Sequence, residues 1–181
     1  MKADAQFSAC RKYRYALWRR WDESKPYAMF VGLNPSTADE VNNDPTVIRC
    51  INFAKSWGYG GLCMANLFAY RATEPDEMMA AVEPVGSAND DWLVNLANDA
   101  GVVVAGWGND GRYLNRSKDV VGLLPNLHYL KRNKSGEPAH PLYLKSDLRP
   151  VPMSNHSTGM FGRRGLIRAW LNRCFRRGSY H

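Results

Sequence analysis

The stretch VGLNPSTADEVNNDPT, residues 31–46, decides how this chain is read. It opens on the end of an apolar run, YAMFVGL (27–33), and that run stops at Asn34-Pro35-Ser36-Thr37. The residues after it are mostly small, polar or acidic, up to Asp44-Pro45-Thr46. An apolar run bounded by turn residues reads as a buried, central strand. The next residues, TVIRCINFAKSW (46–57), put Val47, Ile48, Ile51, Phe53, Ala54 and Trp57 at spacings that include the i, i+3 and i+4 of a helix. Asp44 and Thr46 are the candidate caps of that helix, and Pro45 suits its first turn. Strand, polar loop and helix in this order put polar groups at the carboxyl end of a strand, where open α/β sheets bind ligands.

The rest of the chain extends the pattern. YRYALWRRW (13–21) reads as a strand and a candidate hairpin partner of 27–33. GLCMANLF (61–68) is a third strand, and a short helix is expected near Asp76. Ser87 begins an amphipathic helix with Trp92, Leu93 and Leu96 inward. VVVAGW (102–107) is a fourth, fully apolar strand, followed by a GNDG turn and a helix over 113–124. HYLK (127–130) is a short strand, HPLYL (140–144) comes next, and 163–177 reads as a basic amphipathic helix. The alternation predicts one α/β domain over 1–181. Its expected form is a three-layer α/β/α arrangement around a mostly parallel central sheet of about four strands.

Composition narrows the function classes. The 181 residues are 45% hydrophobic and 23% charged, ordinary values for a globular domain. No apolar stretch approaches the roughly 18 residues of a membrane span. The start MKADAQFSACRKYR lacks an apolar signal core, so a cytoplasmic protein is expected. Cys10, Cys50, Cys63 and Cys174 form no C-x-x-C pair, so they read as buried or incidental thiols, with no metal and no cofactor expected. The net charge of +7 favours a polyanionic partner. Residues 161–181 contain no acid, and RKYRYALWRRW (11–21) interleaves cations with aromatics. Both suit phosphate contact and base stacking, and both also suit a solvated basic face. Arg163, Arg164 and Arg168 are the candidate backbone contacts.

Three polar spots fall at or beyond strand ends: Asn34-Pro35-Ser36, then Asn66 followed by Tyr70-Arg71, then His140-Pro141. In an open sheet they converge on one cleft, flanked by Gly106-Trp107-Gly108-Asn109-Asp110-Gly111. Each also has a structural reading. Asn-Pro stops a strand, because proline cannot donate to the ladder. Asn66 in an apolar run must find partners or cost about 1–3 kcal/mol. His140 also reads as a loop histidine, and Trp107 as core. The GWGNDG turn matches neither the dinucleotide fingerprint nor the P-loop.

At GLNPSTAD, NLFAYRATEP, VVVAGWG and HPLYL the sequence resembles a bacterial and phage domain family of unknown function. In order and spacing the same series is similar, more distantly, to the uracil-DNA glycosylase superfamily. There an apolar strand ends in a loop such as G-x-N-P-G, a middle strand carries an Asn, a further strand ends in Gly, and a His-Pro-Ser loop closes the site. The matching residues are Gly32-Leu33-Asn34-Pro35, then Asn66 with Arg71 and Pro75, then VVVAGWG, then His140-Pro141. The late loop departs from that pattern, reading His-Pro-Leu-Tyr.

That resemblance implies a uracil-DNA glycosylase-like fold and an N-glycosidase acting on a base, possibly modified, in nucleic acid, DNA rather than RNA. It implies that His140 donates to the base carbonyl, that Asn66 reads the pyrimidine edge, and that Asn34 orients water, with Asp39 and Asp44 as alternatives. Gly32, Leu33, Pro35, Ser36, Tyr70, Arg71, Trp107, Pro141 and Tyr143 complete the expected substrate site. Leu142 and Tyr143 are the candidate wedge; Phe53, Phe68 and Tyr70 are the candidate stacking rings. The alternatives are a binding module of the same fold without catalysis, and a hydrolase or transferase acting on a free nucleotide. A monomer is presumed.

Overall fold

The computed structural model describes residues 1–36, 38–39 and 41–153. The expected helix at 163–177, with Arg163, Arg164 and Arg168, lies outside the described residues, as does Cys174.

Seven strands form one mixed sheet among the described residues: β1 (Lys2–Phe7), β2 (Arg14–Arg20), β3 (Tyr27–Gly32), β4 (Gly61–Asn66), β5 (Val102–Ala105), β6 (Leu127–Tyr129) and β7 (Val151–Pro152). Their order is β1-β2-β4-β3-β5-β6-β7. The inner four, β4-β3-β5-β6, run parallel, while β1–β2, β2–β4 and β6–β7 pair antiparallel. Among the described residues four α-helices accompany them: α1 (Pro45–Ser56), α2 (Pro75–Met79), α3 (Asn89–Asp99) and α4 (Arg116–Leu123).

Two expectations are corrected here. The sheet has seven strands in mixed directions, not about four mostly parallel ones. The missed edge strand β1 has no buried residue and is exposed over its first half, so it carries no apolar periodicity to announce it. The hairpin between β2 and β3 does not form either, because β4 lies between them, with Leu17 opposite Met64 and Phe30 beside Met64. The segment between β2 and β3 permits a hairpin, but β3 is buried on both faces and is most stable inside a parallel centre.

The period-two alternation of strands sends successive side chains to opposite faces. Tyr27, Met29 and Val31 of β3 join Cys63, Ala65, Val103 and Ala105, which pack with Leu93 and Leu96 of α3 and with Val120 of α4. Ala28 and Phe30 point the other way, with Leu62, Met64, Val102 and Val104, against Val47, Cys50, Ile51, Phe53 and Ala54 of α1. Phe30, Phe53 and Trp57 stack at centroid distances of 5.4–6.4 Å. Phe53→Ala would therefore cost about 3–5 kcal/mol.

The helix α1 starts where the sequence predicts. The Asp44 carboxylate accepts from the Val47 backbone N–H at 2.8 Å, and Pro45 occupies the first turn. No described helix is long and apolar enough to cross a membrane.

Candidate functional site

The loop after β3 is where the topology reverses. The chain leaves β3 through α1 on one face to reach β4, and leaves β5 through α4 on the other face to reach β6. Such a reversal opens a crevice beyond the carboxyl ends of the strands. The crevice has a volume of about 400 Å³. Gly32, Leu33, Asn34 and Ser36 line it from β3, Asn66 from β4, Trp107 and Gly108 from β5, Asp44 and Thr46 from the start of α1, and His140 from the late loop. Residues 108 positions apart in sequence thus meet in one place, as their strand-end positions predict.

The floor is Asn66, 3% exposed. With its amide oriented to satisfy its surroundings, its nitrogen donates to the Asn34 and Ala65 carbonyls, each at 3.3 Å. These are long bonds for a buried amide. Gly32 permits this placement: a Cβ there would lie 3.0 Å from the Asn66 side-chain amide, at the position its nitrogen takes. Behind the floor, Asn89 donates to the Asn66 and Leu67 carbonyls, at 3.0 Å each. Arg116 adds a bond to the Leu67 carbonyl at 2.9 Å and an ion pair with Asp90. The end of β4 is therefore anchored from α3 and α4.

Asn34 is held as well. Its side-chain nitrogen donates to the Ala72 carbonyl at 2.8 Å and to the Pro35 carbonyl at 3.2 Å. Both amide protons are used, which leaves its oxygen as an acceptor. Asp44 spends one carboxylate oxygen on capping α1; the other makes no hydrogen bond among the described residues. His140 sits at the open rim. Its Nδ1 accepts from the Leu142 backbone N–H at 3.4 Å, which leaves Nε2 to carry the proton of the neutral ring. Desolvation by the surrounding protein lowers the His140 pKa from its ordinary value, and the charge of Asp44 partly opposes this.

Arg14 is a cleft residue that the sequence reading did not single out. It lines the wall at 3% exposure. One guanidinium nitrogen donates to the Ala38 carbonyl, while its Nε has no partner. No carboxylate lies within ion-pair distance among the described residues. Burial draws its pKa down to about 10 despite Asp44 nearby, so the group remains a cation at neutral pH. The available signal was an arginine followed by Tyr15, Ala16 and Leu17, all buried in the same strand.

The other expected residues sort clearly. Tyr70 and Arg71 line a groove beside the cleft. Pro35 is buried, and its carbonyl accepts from the Ala72 N–H at 3.0 Å. Pro141 is buried against Gly106. Tyr143 is 89% exposed and away from the cleft. Asp39 does not line the cleft; its carboxylate accepts from Val41 N–H, Asn42 N–H and the Asn42 side chain. Phe53 and Phe68 are core rings, and Tyr70 meets Tyr13 edge-on in the groove. Of the expected aromatics, Trp107 alone reaches the cleft wall, with its indole N–H on Glu137 at 2.8 Å.

The polar loop serves two ends. Asn34, Ser36 and Asp44 face the cleft. Ala38, Asp39, Asn42 and Asn43 are instead tied back to β2: the buried Arg19 donates to the Asp39 and Asn42 carbonyls and to the Asn43 side chain, and Arg14 holds Ala38. Two cations of the aromatic–basic stretch are thus committed to the interior. The thiols of Cys50 and Cys63 are buried, and desolvation pushes both pKa values up. No group of three or more His, Cys, Asp and Glu side chains converges on a metal-sized space among the described residues.

No curated protein and no solved structure matches the chain. A family profile does match, over residues 14–142, a span that takes in Arg14, Asn34, Asp44, Asn66 and His140 together. The chain belongs to the family described as "protein of unknown function (DUF1643)".

Proposed function

We propose that the protein is an N-glycosidase of uracil-DNA glycosylase type, acting on a base of nucleic acid that enters the crevice beyond β3, β4 and β5. The observation that carries this reading is the meeting of Asn66, Asp44 and His140 around one crevice at the topological reversal. The parallel order β4-β3-β5-β6 and helices on both faces are in keeping with the three-layer fold that this reading expects.

In the reaction, water oxygen bonds to the sugar C1′ as the bond from C1′ to the base nitrogen breaks. The electron pair goes to the base and is shared with its carbonyl oxygen. The neutral His140 donates from Nε2 to that oxygen, where negative charge develops. Arg14 contributes a fixed positive charge in the same wall, and burial strengthens its field. Asn66 meets the base edge with its amide, whose buried hydrogen bonds within the protein are long. The free oxygens of Asp44 and Asn34 hold the water; Asp44, as the carboxylate, takes its proton. The base must leave its stack to arrive, at a cost of a few kcal/mol.

The test separates binding from chemistry. Asp44→Asn should keep oligonucleotide affinity and lower kcat by about 100-fold or more. His140→Ala should lower kcat by about 100- to 1,000-fold. A protein that binds the oligonucleotide in all three forms and turns over in none is a binding module, the second reading, and the glycosidase reading is then wrong.

A further inference from the structure

Next to the crevice runs a second concavity of about 520 Å³, lined by Arg11, Lys12, Tyr70, Arg71, Thr73 and Glu77 among others. The two concavities share Ser36 and Thr73 as a common lip. We propose that this groove is a phosphate-binding subsite, which holds a phosphate of the nucleotide whose base occupies the crevice. The proposal rests on the reading of the crevice as a base site.

The guanidinium carbons of Arg11 and Arg71 lie 4.2 and 4.9 Å from the centroid of one ring, Phe7. Each is attracted to the π-system of that ring, which anchors both side chains. Arg71 is fastened to the same turn: its backbone N–H donates to the Lys12 carbonyl at 2.9 Å and its Nη1 to the Arg11 carbonyl at 3.2 Å. Its Nε is buried with no partner. The turn that carries Arg11 and Lys12 is closed by Ser8 N–H to the Tyr13 carbonyl at 3.0 Å and Arg11 N–H to the Ser8 carbonyl at 2.9 Å. Arg11 there adopts φ 56°, a left-handed conformation uncommon outside glycine, and such outliers gather at functional sites.

Beside Lys12 and Arg71 the one acid among the described lining residues is Glu77, whose carboxylate accepts from the Thr73 backbone N–H at 3.3 Å. The positive field extends inward: Arg71 is among the charges that lower the pKa of Arg14. The planar guanidinium of Arg71 and the exposed ammonium of Lys12 on an open groove match a phosphate dianion or diester. The common lip of Ser36 and Thr73 puts that phosphate beside the crevice, as nucleotide geometry requires. The chemistry is the same for a free nucleotide and for a nucleic-acid backbone.

Calorimetric titration of the full chain at low salt with four probes tests this: deoxyuridine, its 5′-monophosphate, the trinucleotide d(TUT) and inorganic pyrophosphate. The monophosphate or the trinucleotide should bind at least about tenfold more tightly than deoxyuridine. Lys12→Gln combined with Arg71→Gln should erase that preference and leave deoxyuridine affinity unchanged. Lys12→Gln alone, on an exposed side chain, should lose part of it without a change in melting temperature. Preference for the monophosphate identifies a free nucleotide as the source, and preference for the trinucleotide identifies the backbone; both support the subsite. Pyrophosphate binding that the double variant abolishes, with no gain from an attached base, also supports the subsite while contradicting the base reading of the crevice. Equal affinity for deoxyuridine and both phosphate-bearing nucleotides overturns the proposal, and so does a preference that survives the double variant or an absence of binding by all four probes.

Discussion

Two buried asparagines, 23 residues apart and joined by a hydrogen bond, should respond in opposite ways to the same truncation. Asn89 supports the β4 end: its amide nitrogen donates to the Asn66 and Leu67 carbonyls at 3.0 Å each. Asn89→Ala leaves the Asn66 carbonyl without this donor, while Leu67 keeps its bond from Arg116. One to two lost bonds in a dry site cost about 2 kcal/mol. At roughly 2–4 °C per kcal/mol for a chain of this size, the melting temperature falls by about 4–8 °C. Asn66 differs, because among the described residues its amide nitrogen reaches the Asn34 and Ala65 carbonyls at a long 3.3 Å each. Removing an amide with such weak partners relieves desolvation about as much as it loses contact. The net change in Asn66→Ala should stay within about 1 kcal/mol of zero. Ligand binding or turnover, by contrast, should fall by about tenfold or more, the value of a good hydrogen bond to substrate. Differential scanning calorimetry and titration on both variants decide the matter. If Asn66→Ala melts as early as Asn89→Ala while retaining full activity, Asn66 is a structural residue and the reasoning about the floor fails.

Other outcomes come from the same geometry. Gly32→Ala brings a methyl within 3.0 Å of the Asn66 side-chain amide, so kcat/KM should drop by about tenfold or more with a smaller change in melting temperature. Arg19→Met removes the bonds that tie Asp39, Asn42 and Asn43 to β2, and should cost about 3 kcal/mol in urea unfolding and raise amide exchange at those residues. The lowered pKa of His140 means that protonation disfavours the folded state. The stability it contributes is fully present above the unfolded value near 6.5, and is lost as pH falls through the lower folded pKa. The acid limb of activity should share that folded pKa. Because the charge of Asp44 raises it, Asp44→Asn should move the His140 midpoint further down in an NMR titration; an upward or absent shift contradicts the pairing.

The central strands were legible because burial on both faces leaves an uninterrupted apolar run, as in YAMFVG and VVVA. The α1 start was legible because Asp-Pro-Thr carries its own capping chemistry. The cleft residues Asn34, Asn66 and His140 stood out as polar groups at strand ends, a position that topology alone draws together. Pairing stayed hidden. Nothing in YRYALWRRW says that β4, rather than β3, is its neighbour, because register and order depend on which faces are covered. Edge strands β1 and β7 carry mostly exposed residues and little pattern. The roles of Arg14 and Arg19 were hidden for a related reason. An arginine looks alike in sequence whether it meets solvent, a backbone carbonyl or a ligand. Here burial commits Arg19 to the loop and Arg14 to the cleft wall.

The most direct measurement is mass-spectrometric detection of free base. Full-length protein would be incubated with single- and double-stranded oligonucleotides carrying uracil, mismatched thymine, hypoxanthine or 5-hydroxymethyluracil. The account predicts that one of these releases its base, leaving an abasic site of matching yield, and that His140→Ala suppresses the release. Intact oligonucleotides and no free base from any substrate, under conditions where the protein binds them, would contradict it.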